Sequence, residues 1–411
     1  MSTAPRQIDL SAPPVVKTMG RRSLIVGVVF SILAVIGAFL QTQQFFRAYL
    51  LGFMLCLGVT LGSMAILMIR HLTGGGWGTV IRRLMGAAMR CIPLVTLLFV
   101  PYLFGVKRLY IWDQPLNTVA DKHLREHLQD ITQTYLNLHG FLIRAVIYFA
   151  IWNLLSFLLT KWSSQTDRPG APDNSARFKA VSGPGLILYA FSLSFAAIDW
   201  MMSIDPSWIS TIYPLIILIG EVLSAMCFAV VMERILARYK PMSELLRPDF
   251  VHDHGKWMLT FLMVWAYFSF SQWLIIWAGN LPEEIPWYLR RLNGGWGLVG
   301  LALVLFHFAV PFTLLLSRPF KRDITKLVWL ASWMLVMRWL DLLWFIEPEF
   351  SKTFSITWLD IVVPVGMGGL WMAYFCRNLS SLPLVPAYDH DAHEVLGPEH
   401  GDAVFERERT G

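Results

Sequence analysis

The sequence predicts an all-α protein of about ten membrane-spanning helices. Three observations carry that expectation. Of the 411 residues, 55% are hydrophobic and only 15% charged, whereas a soluble domain carries about a quarter charged residues. Apolar stretches of roughly 20 residues, enough to cross about 30 Å of hydrocarbon, recur along the whole chain. Lysine and arginine also alternate between the connecting segments. With the N-terminus cytoplasmic, 23 of the 34 fall on that side, 8 on the other and three inside spans, a strong positive-inside asymmetry. An even number of spans then leaves both termini cytoplasmic. This asymmetry accounts for the net charge of +6, so no nucleic-acid partner is implied, and the lipid bilayer is the first expected partner.

Taken in order, residues 1–22 read as a flexible cytoplasmic tail, 23–378 as the membrane domain and 379–411 as an acidic cytoplasmic tail. His390, His393 and His400 in that last segment are too irregularly spaced to suggest a metal. The expected spans are 23–40, 50–69, 84–105, 138–160, 184–203, 210–232, 257–279, 296–317, 324–346 and 356–375. The first lacks a small-x-small cleavage site and is read as a retained helix. The tetrapeptide GGWG occurs at 75–78 and 294–297, on opposite sides of the membrane, and reads as a tight glycine turn with an interfacial tryptophan. The long outward loop 106–137 contains DKHLREHLQDITQTYLN, an amphipathic surface helix. Its His123, Glu126 and His127 have the H-x-x-E-H spacing that can hold zinc, but no third ligand follows, and a solvated helix face accounts for the same spacing. The fifth span ends in AAIDWMMSIDPSW. There Asp205-Pro206 makes the exit turn, and Trp200 and Trp208 are assigned to the interface belt.

Ionisable side chains inside spans carry the functional information, because each costs at least about 2.5–3.5 kcal/mol at the centre of a bilayer and normally faces a bundle interior or wet cavity. In the outward third lie His139 and Arg144, Asp199, Arg338 with Asp341 one turn on, and Asp360, with Gln272 somewhat deeper. Glu221 and His307 fall near mid-depth. Arg90 and the cluster HDHGK, which is His252, Asp253, His254 and Lys256, lie towards the cytoplasm. One reading is a proton path through Asp199, Glu221, His307 and His252, Asp253 and His254, since carboxylates and imidazoles pass protons with modest tuning. Another is a quinone site formed by His139, Arg144, Asp199 and Gln272. The structural alternative pairs Arg338 with Asp341 or Asp360, and Arg144 with Asp199. Glu221, alone in an apolar span, is the residue for which a functional role is the simpler reading.

No catalytic residue is assigned and no metal ligand set emerges. The four cysteines, Cys56, Cys91, Cys227 and Cys376, sit in apolar spans without a C-x-x-C pattern. Only His307 is deep enough for a haem axial ligand, so a bis-histidine haem is not expected. No covalent or metal-ligated cofactor is therefore expected, while a bound quinone or quinol stays open.

Four segments resemble a known family. FSLSFAAIDWMMSIDPSWISTIYPLIILIGEVLSA and HDHGKWMLTFLMVWAYFSFSQWLIIWAGNLPEEIPWYLRRLNGGWG are similar to the ActF membrane subunits of alternative complex III, as are HLTGGGWGTVIRR and YLNLHGFLIRAVIYFAIWN. The resemblance implies a relative of the NrfD and polysulfide-reductase membrane subunits, which fold as two four-helix bundles with flanking helices. It implies a bacterial inner-membrane location in a respiratory quinol:cytochrome c oxidoreductase. The implied partners are an NrfD-like sister membrane subunit, a periplasmic iron–sulfur subunit and haem c subunits. It further implies that quinol is oxidised mainly at the sister subunit and that this subunit offers a proton pathway. Asp199, Glu221, His252, His254, Gln272, Glu283 and Glu284 fall inside the matching segments. In the loop NLPEEIPWYLRR, Glu283, Glu284, Trp287, Arg290 and Arg291 suit docking of a partner, and a plain interfacial anchor is equally consistent. Two further readings stay open: a quinone-binding subunit with its own outer-side site, and a stand-alone proton-coupled secondary transporter.

Overall fold

The computed structural model describes residues 10–119, 122–165, 173–385 and Val395. His390, His393 and His400 lie outside the described residues. Among those described there is no strand, and ten helices are long and apolar enough to cross a membrane. They are α1 (Pro14–Leu40), α2 (Thr42–Thr73), α3 (Gly76–Leu103), α4 (Leu138–Gln165), α5 (Ser175–Trp200), α6 (Tyr213–Leu236), α7 (Pro248–Gly279), α8 (Trp296–Leu316), α9 (Ile324–Ile346) and α10 (Leu359–Leu379). The protein is an all-α, multi-pass membrane protein. In hydrocarbon every backbone polar group must be satisfied within the segment, which is why apolar runs of this length become helices. Because the spans alternate in direction, α1 begins and α10 ends on one side, here called the tail face; the other side is the loop face.

Two four-helix bundles meet at a seam. The first is α2 to α5, the second α6 to α9, and α2 packs along α6 between them. These two are the most buried spans, consistent with their being apolar on all sides. Lipid tails are as apolar as leucine, so close packing and not water exclusion holds the helices together. Small residues make that possible. A side-chain carbon added at Gly62 of α2 would lie 2.4 Å from the Glu221 carbonyl oxygen of α6, and one at Gly58 would lie 3.1 Å from the Glu221 Cγ. The flank repeats the device: α1 lies against α10, where a carbon at Gly27 would fall 2.6 Å from the Leu370 nitrogen.

Several elements differ from expectation. α1 starts at Pro14, nine residues before the predicted span, because proline at the first helical position suits a helix start and the basic Lys17, Arg21 and Arg22 extend the helix on the tail face. The third span is broken at Arg90 and Cys91 into Gly76–Met89 and Ile92–Leu103. The first piece touches the tail-face ends of other spans: Trp77 meets His254 of α7, Arg83 meets Ser163 of α4, and Ala87 meets Asn378 of α10. It therefore runs across that face, and the crossing begins at Ile92. The glycine turns occur as expected, with positive φ at Gly74, Gly75, Gly294 and Gly295. Trp296, however, is wholly buried, its indole donating to the Ser351 carbonyl at 3.0 Å. Trp200 and Trp208 are likewise buried and are not in an interface belt. Trp200 belongs to an aromatic core in the first bundle with Phe53, Phe99, Phe149 and Trp152. Trp208 stacks on Trp287 at 4.5 Å.

Candidate functional site

The second bundle holds a polar cluster at mid-depth. Glu221 stands eight residues into α6, about 12 Å from its start at 1.5 Å per residue. Arg338 and Asp341 come from α9, and the Arg338 Nη1 donates to the Asp341 Oδ2 at 2.5 Å while Nη2 donates to the Ile217 carbonyl at 3.2 Å. Gly220 makes this approach possible: a carbon there would fall 2.2 Å from the Arg338 Nη1. His307 comes from α8, edge-on to Trp265 of α7 with ring centroids 4.5 Å apart, and Trp265 also lies beside the Asp341 carboxylate.

What sets these two groups apart is what they lack. Both Glu221 carboxyl oxygens and both His307 ring nitrogens are buried with no hydrogen-bond partner among the described residues. Buried polar atoms are nearly always satisfied, so each exception calls for a reason. The helix around His307 is also irregular: Leu303–Ala309 is wound as a π-helix, a form that is rare and tends to occur at functional sites. Chemically, the bundle holds a carboxyl and an imidazole without a hydrogen-bond partner among the described residues, near a guanidinium that stays charged. Either group can take up or release a proton.

Asp199 is held in the opposite way. Arg144 grips it with two parallel bonds, Nε to Oδ2 and Nη2 to Oδ1, both 2.8 Å, and the Tyr148 hydroxyl donates to Oδ2 at 2.8 Å. Arg144 is further fixed by the Tyr135 carbonyl at 2.9 Å and lies 3.9 Å above the Tyr135 ring. The pairing of Arg144 with Asp199 is therefore present. Neither His139, which is exposed, nor Gln272 joins it. Gln272 accepts from the Ser210 hydroxyl at 3.1 Å and donates to the Tyr288 hydroxyl at 3.5 Å. Burial pushes the Tyr288 phenol up to about 12.

Asp360 does not pair with Arg338. It accepts from Gln44 at 2.9 Å and from the Thr357 backbone nitrogen and hydroxyl at 2.7 and 2.8 Å. Gln44 also bonds Glu347, which pairs with Arg47 at 3.6 Å, so Asp360 belongs to a loop-face cluster of α2, α9 and α10. On the tail face the HDHGK cluster divides. His254 is fully buried, its Nδ1 2.9 Å from the Glu233 Oε2 and its Nε2 2.9 Å from the Trp77 carbonyl oxygen. Asp253 pairs with Lys256 at 2.9 Å, and His252 is half-buried.

In the loop NLPEEIPWYLRR, Trp287 and Arg291 are buried within the chain itself. Arg291 donates to the Trp287, Trp344 and Phe345 carbonyls, pairs with Glu349 at 2.8 Å and lies 3.4 Å over the Trp287 ring. Burial lowers its proton affinity, and the Glu349 carboxylate opposes that. Arg290 pairs with Asp205 and Glu349 but keeps an exposed side chain, and Glu283 is exposed. The surface helix occurs at Lys122–Thr134, with His127 Nε2 3.2 Å from the Pro206 carbonyl oxygen. No group of three or more potential metal ligands occurs among the described residues.

Two buried polar residues, Glu233 and Tyr189, are absent from the sequence reading. Glu233 falls one residue beyond the expected sixth span and so reads as a solvated end. The signal for it was indirect: a histidine in an apolar run needs an acceptor. Tyr189 of α5 is buried with no partner for its hydroxyl among the described residues, and an isolated tyrosine in a span gives no sequence cue. Comparison with family models and with curated proteins gives no match.

Proposed function

We propose that this membrane protein is a subunit of a respiratory quinol:cytochrome c oxidoreductase, without a prosthetic group of its own, that supports a quinol-oxidising NrfD-like sister subunit and conducts protons. The observation that carries the proton-conducting part is the pair of orphaned groups, Glu221 and His307, buried in the bundle that also holds the Arg338–Asp341 pair. The respiratory assignment, with its iron–sulfur and haem c partners, rests on the ActF-like segments quoted above. The path would use Glu221 and His307 at mid-depth and His254 with Glu233 at the tail face. Asp199 enters less readily, because Arg144 and Tyr148 occupy its oxygens. The same closure argues against a quinone seated between Arg144 and Asp199. A secondary transporter would have broken helices at corresponding positions of two repeats. Here the interrupted spans are α3 and α8, the second member of one bundle and the third of the other.

The test is Glu221→Gln in the native complex, reconstituted in vesicles. Proton translocation per electron should fall while haem and iron–sulfur subunits still co-purify. An unchanged ratio would remove Glu221 from the path, and purification without redox partners would remove the respiratory assignment.

A further inference from the structure

The GGWG turn on the tail face sets a backbone carbonyl against a histidine. Gly74 and Gly75 take positive φ. The helix that follows opens with Trp77, whose indole packs on Trp257 of α7 at 4.9 Å and whose carbonyl oxygen lies 2.9 Å from the His254 Nε2. A carbonyl oxygen only accepts, so the Nε2 has to carry a hydrogen. The other GGWG turn makes the same contact with an obligate donor: the Trp296 carbonyl accepts from the Trp344 indole at 3.3 Å. Across the ring, the His254 Nδ1 lies 2.9 Å from the Glu233 Oε2. That contact is a hydrogen bond in two states only. Either Glu233 is ionised and His254 is an imidazolium donating from Nδ1, or Glu233 is protonated and donates to a neutral ring. Both residues are fully buried. The two states differ by one proton moved between Oε2 and Nδ1, with nothing else gained or lost. Glu233 keeps a further atom, Oε1, buried and without a partner among the described residues. Other charged groups on this face are Asp253 with Lys256 at 2.9 Å, Lys321 packed along Gly255, and Arg70, which donates to the Thr79 hydroxyl at 2.9 Å.

We propose that Glu233 is the proton carrier at the tail face and that His254 is its positioning residue, locked by the Trp77 carbonyl. This rests on the proton-conducting reading above and gives the two residues different parts in it. A histidine shuttles protons by taking one on one nitrogen and giving one up from the other. Here the Nε2–H ends on a carbonyl that cannot take the proton on, so a proton that reaches Nδ1 leaves by Nδ1. It returns to the Glu233 Oε2, and the way onward is through Oε1. The pair therefore stores one proton and passes it through a single group. An ionised carboxylate is costly to bury without a charged partner, and the ring supplies that charge whenever Glu233 has given up its proton.

Two measurements separate this assignment from the reading on which it rests. The first is solid-state NMR of the full chain in lipid, isotope-labelled at tryptophan carbonyls and histidine ring nitrogens. Among the described residues a tryptophan carbonyl meets a histidine ring nitrogen only at Trp77 and His254, so a cross-peak between the two labels identifies His254 without a variant. Its Nε2 should stay protonated from about pH 5 to about pH 8, with any change confined to Nδ1. A bare Nε2 anywhere in that range would overturn the proposal, whatever the protein does with protons. The second is proton translocation by the native complex in vesicles. Glu233→Gln should lose most of the protons moved per electron, as is expected of Glu221→Gln. His254→Gln keeps an amide donor for Oε2 and should slow turnover while retaining most of that ratio. Equal losses from Glu233→Gln and His254→Gln, in complexes that still hold their haem and iron–sulfur subunits, would make the ring a through-relay and overturn the assignment. An unchanged ratio in Glu233→Gln alone would remove Glu233 as the carrier, whereas an unchanged ratio in both Glu221→Gln and Glu233→Gln would remove the path itself.

Discussion

Asp199 and Glu221 are both carboxyl groups buried in apolar spans, yet one is fully bonded and the other is not. Asp199 has a bidentate guanidinium and a tyrosine hydroxyl; Glu221 has no hydrogen-bond partner among the described residues. Breaking a buried pair by removing one partner costs about 3–5 kcal/mol, because the other charge stays buried and uncompensated. Asp199→Ala should therefore lower the thermal midpoint of the purified protein sharply, and Arg144→Leu combined with Asp199→Leu should recover much of the loss. Glu221→Gln loses no bond and should change stability by less than about 1 kcal/mol. Equal losses in the two single variants would show that Glu221 is bonded after all. Sequence reasoning reached Glu221 and the Arg144–Asp199 pair because each needs only depth along a helix and opposite charge. It could not choose between Asp341 and Asp360 for Arg338, since that choice depends on helix rotation. It also placed Trp287 and Arg291 on a surface, because an Arg-Arg pair in a loop reads as solvated until a carboxylate such as Glu349 and three carbonyls are found around it.

At the scale of elements, the spans were legible and their departures from regularity were not. Hydropathy is an average over about 19 residues, so it registers a helix but neither the break at Arg90 and Cys91 nor the π-turn around His307. The helix crossing of α2 on α6 was also hidden, although Gly58 and Gly62 stand four apart in the small-xxx-small spacing used by packed membrane helices. Gly62→Leu must push against the Glu221 carbonyl and Ala225, and overpacking of this kind costs about 1–3 kcal/mol. A lowered midpoint should result, whereas Gly183→Leu, which opens onto free space, should be tolerated. Tolerance at Gly62 would mean that the two bundles are not in close contact there. α9 has a separate control at its start. The Asp323 side chain accepts from the Thr325 and Lys326 nitrogens at 2.9 and 3.3 Å, and those N–H groups hold its carboxyl below the usual carboxylate range. A depressed folded value means that the cap contributes fully above the ordinary aspartate value near 4 and loses that contribution as pH falls through the folded one. Asp323→Ala should cost about 0.5–2 kcal/mol near neutrality, and the gap from wild type should narrow below about pH 4. A gap that does not depend on pH would show that the charge is not what caps the helix.

For the whole molecule, the two bundles share a topology but not an interior. The first is filled by Phe53, Phe99, Phe149, Trp152 and Trp200 beside the closed Arg144–Asp199 pair, whereas the second keeps Glu221 and His307 without a hydrogen-bond partner among the described residues, next to the Arg338–Asp341 pair. A proton path would therefore run through one bundle only, between the seam and α8, with the aromatic bundle as its support. Its direction depends on which face meets the cytoplasm. The tail face carries Lys17, Arg21, Arg70, Arg82, Arg83 and the basic ends of α4, α6 and α9, and the loop face carries few positive residues. Translocation against the membrane potential disfavours positive charge in short loops, so the tail face should be cytoplasmic. Reporter fusions decide this. A reporter that is active only in the cytoplasm should work at either terminus and fail when inserted after Asn280, in the loop between α7 and α8. Activity after Asn280 and silence at the termini would invert the molecule. The path would survive such an inversion with its ends exchanged: His254 and Glu233, now at the tail face, would become the outward port.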